Sequence, residues 1–126
     1  MSWSFDQERA LSLSHHIALV ANAGSGKTSV LTERFARIIR NGVADLDNVV
    51  AITFTKKAAA EMRHRVHDAL ANSSSEAARR SLARIAQARI STFHSFCGTL
   101  LRQYPHESGV AVDARELSTR ESSVLR

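Results

Sequence analysis

Apolar positions fall into two spacings along the chain. Ile17-Ala-Leu-Val20 is apolar at every position, which predicts a short strand buried on both faces. Small residues follow through Gly26. From Lys27 to Arg40 the apolar residues Val30, Leu31, Phe35, Ile38 and Ile39 recur at helical spacing, and Asn41-Gly42 is a natural stop. Asn48 to Phe54 is β-branched and apolar and predicts a second strand. Lys56 to Ala71 predicts an Ala-rich helix ending near Asn72. Ser73-Ser-Ser75 reads as a linker, one serine capping a further helix over Glu76 to Ala88. Arg89 to Thr92 predicts a third strand, and Phe93 to Tyr104 a helix that ends before Pro105. Beyond it the pattern weakens. His106 to Ala114 reads as loop with a faint strand at Val110 to Val112. Glu116 to Arg126 reads as the start of a helix capped by Ser118 or Thr119.

Strands alternating with helices imply βαβ crossovers, hence an α/β fold with a parallel sheet flanked by helices. The 126 residues suit one domain or part of one, and 44% hydrophobic residues suffice for a core. Lys and Arg outnumber Asp and Glu by 17 to 12, which fits a polyanionic partner without establishing one. Cys97 is the only cysteine, so neither an internal disulfide nor a cysteine cluster can form; after Phe96 it reads as a buried core thiol. The N-terminus lacks the pattern of a secretory signal, and no apolar stretch is long enough to cross a bilayer. The expected setting is cytoplasmic, away from membranes.

The run Ala21-Asn-Ala-Gly-Ser-Gly-Lys-Thr28 fits a phosphate-binding loop (Walker A), with Ala21 where the first glycine usually stands. Phosphate oxygens must come close to main-chain N–H groups, and Gly24 and Gly26 permit the necessary backbone angles. A helix starting at Lys27 adds its positive end. The Lys27 ammonium would neutralise the β and γ phosphates of ATP, and the Thr28 hydroxyl would ligate Mg²⁺, a cation that takes few protein ligands. The alternative is a glycine-rich turn with an exposed lysine. The position between a predicted strand and a predicted helix favours the phosphate loop.

Three further segments narrow the class. Ala51-Ile-Thr-Phe-Thr-Lys-Lys-Ala-Ala-Ala-Glu-Met-Arg-His-Arg-Val66 closely resembles motif Ia of the UvrD/Rep family of superfamily 1 DNA helicases. Ile90-Ser-Thr-Phe-His-Ser-Phe-Cys97 resembles its motif Ib, and Phe5-Asp-Gln-Glu-Arg-Ala10 its Q motif. The wording around the phosphate loop is similar to the AddA/RecB helicase–nuclease branch. The resemblance implies the N-terminal part of a RecA-like ATP-binding domain 1A over residues 1–126, with a helical insert at about 73–88. It also implies single-stranded DNA as partner, translocation from 3′ to 5′ coupled to ATP hydrolysis, and a second nuclease–helicase subunit.

On this reading the nucleotide-binding residues are Gln7, Ala21, Asn22, Ala23, Gly24, Ser25, Gly26, Lys27, Thr28 and Ser29, with Lys27 and Thr28 acting in catalysis and Thr28 on Mg²⁺. Gln7 has a donor and an acceptor that can pair with adenine N6 and N7; standing alone it would read as a glutamine near a helix start. Trp3 and Phe5 are expected to pack the N-terminal segment near the adenine pocket. Thr53, Phe54 and Thr55 lie at the carboxyl end of a predicted strand, where parallel sheets bind ligands. Their hydroxyls suit DNA phosphates, and Phe54 suits a base or sugar. Core packing of Phe54 and helix capping by Thr55 are the competing readings. Thr92, Phe93 and His94 have the same placement; Phe93 and Phe96 are expected to be at least partly core, leaving His94 as the better DNA contact. Arg63, Arg65, Arg79, Arg80, Arg84 and Arg89 read as a solvated face or a diffuse phosphate-facing field. His64 and His67, at i and i+3, lack a third metal ligand.

The chain departs from the family where Ser29 replaces an arginine common after the Lys-Thr pair, and Ala21 and Asn22 replace glycines. No apolar run ending in Asp-Glu follows Cys97. The Walker B carboxylates and the transition-state arginines are therefore expected in later sequence, and these 126 residues alone are expected to bind nucleotide weakly without turning it over. An open sheet edge with a tendency to associate is also expected. Two other classes remain open: a P-loop kinase or transport ATPase, and a non-enzymatic nucleic-acid-binding module with a degenerate loop.

Overall fold

The computed structural model describes residues 3–20, 22, 24–115 and 117. The elements run α1 (Phe5–Ala10), α2 (Lys27–Arg40), β1 (Val50–Thr53), α3 (Lys56–Ala71), α4 (Glu76–Leu82), β2 (Arg89–Thr92), α5 (Phe93–Gln103) and α6 (Pro105–Ser108). The mixed α/β pattern matches the expectation. β1 and β2 form a two-stranded parallel sheet in register from Val50 opposite Arg89 to Thr53 opposite Thr92, with α3 and α4 in the crossover.

Local chemistry explains the boundaries. Ser4 caps α1 in a reciprocal box: its hydroxyl accepts the Gln7 N–H, and Gln7 Oε1 accepts the Ser4 N–H. After α2, Gly42 takes a left-handed φ of 65°. The Val43 N–H then reaches Ile38 O and the Gly42 N–H reaches Ile39 O, so the last carbonyls are satisfied. Thr55 and Thr92 cap α3 and α5.

The main core joins Phe35, Ala36 and Ile39 of α2 to Met62, Val66 and Leu70 of α3, with Ala51 and Ile90 from the sheet and Ala78 from α4. A second, smaller cluster packs Ala10, Leu11 and Val30 beneath Trp3 and fastens α1 to α2. Polar ties reinforce it. Arg34 on α2 donates to the carbonyls of Ala10 (2.9 Å), Ser12 and His15 (3.1 Å). Arg37 pairs with Glu8 at 2.9 Å. The Glu8 hydrogen bond raises the Arg37 pKa above the usual arginine value, against burial, which lowers it.

Several expectations are corrected. Ile17–Val20 is not a strand; Ile17, Leu19 and Val20 are exposed, Val20 at 98%. A parallel strand is stable only when its amides and carbonyls meet a neighbour's ladder. Neither β1 nor β2 pairs with this segment. Leu31 faces solvent because the buried stripe of α2 runs instead through Thr32, Phe35 and Ala36. The helix predicted over Glu76 to Ala88 ends at Leu82, and a single 3₁₀ turn over Ile85–Gln87 brings the chain to β2. Ser75 occupies the cap position of α4, but its hydroxyl donates to Arg40 O at 2.9 Å instead of capping. Pro105 opens the short helix α6, where its missing N–H costs nothing, and residues 110–112 form no strand. The predicted helix over 116–126 lies outside the described residues apart from Leu117.

Candidate nucleotide and nucleic-acid site

The loop before α2 has the backbone its composition calls for. Gly24 and Gly26 sit at φ 78° and 84°, a region that a side chain makes costly, and Gly26 is the residue from which α2 starts. Asn22 O gathers three donors: the Ser25 N–H at 3.3 Å, the Ser25 hydroxyl at 2.7 Å and the Lys27 ammonium. The bend thus folds Lys27 back over its own loop. A hollow of about 250 Å³ opens beside it, lined by Ser4, Asp6, Gln7, Leu19, Val20, Ser25, Lys27 and Val30. Thr28 is exposed one residue further on, and Ser29 beside it is half-buried. Ala21 and Ala23 lie outside the described residues.

Gln7 reaches this hollow from α1. Its Nε2 donates to Ser25 O at 3.2 Å, while Oε1 takes the Ser4 N–H at 3.0 Å. One amide hydrogen and one lone pair of the same group are left over. The structure therefore brings Gln7, Ser25, Gly26 and Lys27 together across eighteen residues of sequence separation. Trp3 packs against Ala10, Leu11 and Val30. Phe5 does not pack: it is exposed, with the Arg9 guanidinium 5.8 Å over its ring.

The second group of candidates stands at the carboxyl end of the sheet. Thr53 and Thr92 are opposite one another in the ladder, so Phe54 and Phe93 leave adjacent strands side by side. Phe54 is 100% exposed, which removes the core-packing alternative for it. Phe93, expected to be partly core, is 60% exposed, because α5 starts immediately after β2 and its first turn projects past the sheet. Phe96 is half-buried and His94 exposed. Cys97 is likewise half-buried, not a core thiol, since α5 buries none of its residues fully.

The threonines divide. Thr55 Oγ1 accepts the Ala58 N–H at 3.1 Å, and Thr53 Oγ1 donates to Thr55 O at 3.0 Å. Both side chains remain near the surface. Thr92 is 7% exposed, and its Oγ1 accepts the Ser95 N–H at 3.2 Å and shares a hydrogen bond with the Ser95 hydroxyl at 2.9 Å. Its side chain is a cap that shapes the loop.

Sequence reasoning missed Lys56 and Lys57. Both are exposed in the first turn of α3, which carries no acidic residue. Cations at the positive end of a helix oppose its dipole, and that mismatch is the signal that could have found them. The arginine field is largely spoken for: Arg63 donates to Ile90 O, while Arg65, Arg79 and Arg84 pair with Glu61, Glu76 and Asp47. No group of three or more His, Cys, Asp or Glu suited to a metal ion occurs among the described residues. No described helix is long and apolar enough to cross a membrane.

The chain is 39% identical, over its full length, to the ATP-dependent helicase/nuclease A-subunit of Lysinibacillus sphaericus (strain C3-41), covering 11% of that protein. It is 43% identical over 82% of its length to the protein of that name from Bacillus licheniformis, covering 9% of it. The corresponding protein of Clostridium acetobutylicum is 36% identical over 99% of the chain and 11% of its own length. The chain thus spans about a tenth of the length of these curated relatives. Residues 3–125 match the family described as UvrD/REP helicase N-terminal domain, which takes in the glycine bend, the Gln7 arm and the aromatic sheet edge alike, and the chain belongs to that family.

Proposed function

We propose that this chain is the first part of the RecA-like ATP-binding domain 1A of a DNA helicase. The helicase would translocate 3′ to 5′ on single-stranded DNA, coupled to ATP hydrolysis, as one component of a helicase–nuclease assembly. The observation that carries the reading is the hollow at Lys27, where the glycine bend and Gln7 meet. A triphosphate there would meet loop amides, the start of α2 and the Lys27 ammonium. Gln7 keeps a donor and an acceptor for an adenine edge. Mg²⁺ travelling with the nucleotide would find the exposed Thr28 hydroxyl, a fit for a cation that leaves most of its shell to water and phosphate.

The sheet edge supplies the second half. Phe54 and Phe93, which follow paired residues of adjacent strands, offer two exposed rings for bases or sugars, with His94, Lys56, Lys57 and the Thr53–Thr55 turn next to them in the chain for phosphates. Both loops stand at the starts of helices of one α/β unit, so closure on nucleotide could be felt at the DNA edge. A kinase or transport ATPase would share the phosphate loop but have no use for the two exposed rings.

In the complete protein, Lys27→Ala is expected to abolish ATP binding, measured by calorimetry or fluorescent-nucleotide titration. Unchanged affinity would remove the assignment. Strong stimulation of the wild-type ATPase by single-stranded DNA is expected as well; its absence would favour the kinase or transporter class.

A further inference from the structure

We propose that Gln7 is a positioning residue for the phosphate loop, in addition to any contact it makes with a base; the inference rests on the nucleotide-site reading above. Gln7 Nε2 donates to Ser25 O at 3.2 Å. Across the planar trans peptide, Ser25 O and the Gly26 N–H point to opposite sides, so holding the carbonyl toward α1 also sets the direction of the Gly26 N–H. That N–H belongs to the residue from which α2 starts, in the stretch whose amides would meet phosphate.

Close packing supports the same assignment. A Cβ built on Gly26 would stand 3.0 Å from Gln7 Nε2. The amide therefore lies against the bare α-carbon of Gly26, a second reason for glycine there besides its φ of 84°. The arm itself is held at both ends. Gln7 Oε1 is engaged by the Ser4 N–H, and α1 is fixed to α2 by the Leu11–Val30 cluster, by Arg34 on three carbonyls and by the Arg37–Glu8 pair. A side chain so anchored can resist a change in the loop instead of following it. The helix preceding the loop thus acts as a strut between two segments that no strand ladder joins.

The test separates holding the loop from reading the base, using ATP and inorganic tripolyphosphate, which has no base, on the complete protein. Gln7→Met keeps the length and neutrality of the side chain but lacks the amide. It is expected to weaken both ligands by a similar factor, about 2- to 10-fold, the scale of one hydrogen bond. Glu8→Gln removes one of several ties of α1 without touching the loop and is expected to weaken tripolyphosphate binding clearly less than Gln7→Met does, since exposed ion pairs contribute little. A loss confined to ATP, with tripolyphosphate unchanged, would overturn the proposal and leave Gln7 as a base reader only. An equal loss in Glu8→Gln would assign the effect to loosening of α1 and overturn it too. Wild-type protein that binds neither ligand would sink the nucleotide site itself, a result distinct from both.

Discussion

Two short apolar runs, Ile17–Val20 and Val50–Thr53, have opposite fates in this molecule. Each leads directly into a candidate site loop, the first into the glycine bend, the second into Thr53–Thr55. Val50–Thr53 is a strand because Arg89–Thr92 lies beside it in register, and Ala51 is sealed under α3. Ile17–Val20 is apolar throughout and has no ladder partner among the described residues, and it lies open. The difference shows two ways of holding a loop. One loop rises from a sheet edge whose backbone hydrogen bonds set its direction. The other is braced from the side by α1, through Gln7, Arg34 and a small cluster around Leu11.

The largest expected effect tests the sheet-borne loop. Ile90 is 1% exposed and stands opposite Ala51 in the ladder. Ile90→Ala should lower stability by about 2–5 kcal/mol, read from urea denaturation. Val20→Ala, in the open run, should stay within about 0.5 kcal/mol. Similar losses for the two would mean that Ile17–Val20 is packed after all. Next comes the brace. Arg34→Ala removes donors to three carbonyls at the end of α1 and should cost roughly 1–3 kcal/mol, as hydrogen bonds from charged groups do. Amide exchange should speed up across Phe5–Ala10 and leave Val50–Thr53 protected; uniform acceleration would show that the two supports are one cooperative unit. The smallest effect concerns Thr92, buried at the joint of β2 and α5. Thr92→Ala should cost about 1 kcal/mol, typical of a lost helix cap. A stability unchanged by this substitution would indicate that Thr92 is not needed as a cap and would reopen a direct role for its hydroxyl.

Much of the helical structure was legible in the residues themselves. Lys27–Arg40 and Lys56–Ala71 begin and end where expected, because their starts and stops are written locally: glycine bend, Thr55 cap, Asn41-Gly42, Asn72. The glycine angles at positions 24 and 26 followed from the loop's composition for the same reason. Exposure of the aromatic residues was not legible. Phe54, Phe93 and Phe96 look alike as residues, yet only Phe96 is half-buried. Helical spacing says which residues share a face; it does not say what lies opposite. The same blindness hid Leu31 and made Cys97 look buried.

By itself, the order of residues determined the helices α2 and α3, the left-handed bend at Gly24 and Gly26 and the identity of the charged and hydroxyl groups at the two loops. These depend on neighbours within a few positions, where steric limits and hydrogen-bond caps act. Only the tertiary structure decided that Gln7 bonds to Ser25 O, that Arg34 ties α1 to α2, that Phe54 and Phe93 are both exposed, and that Ile17–Val20 goes unpaired. Each of those is a meeting of distant segments, and whether a segment meets a partner depends on the packing of every element between them.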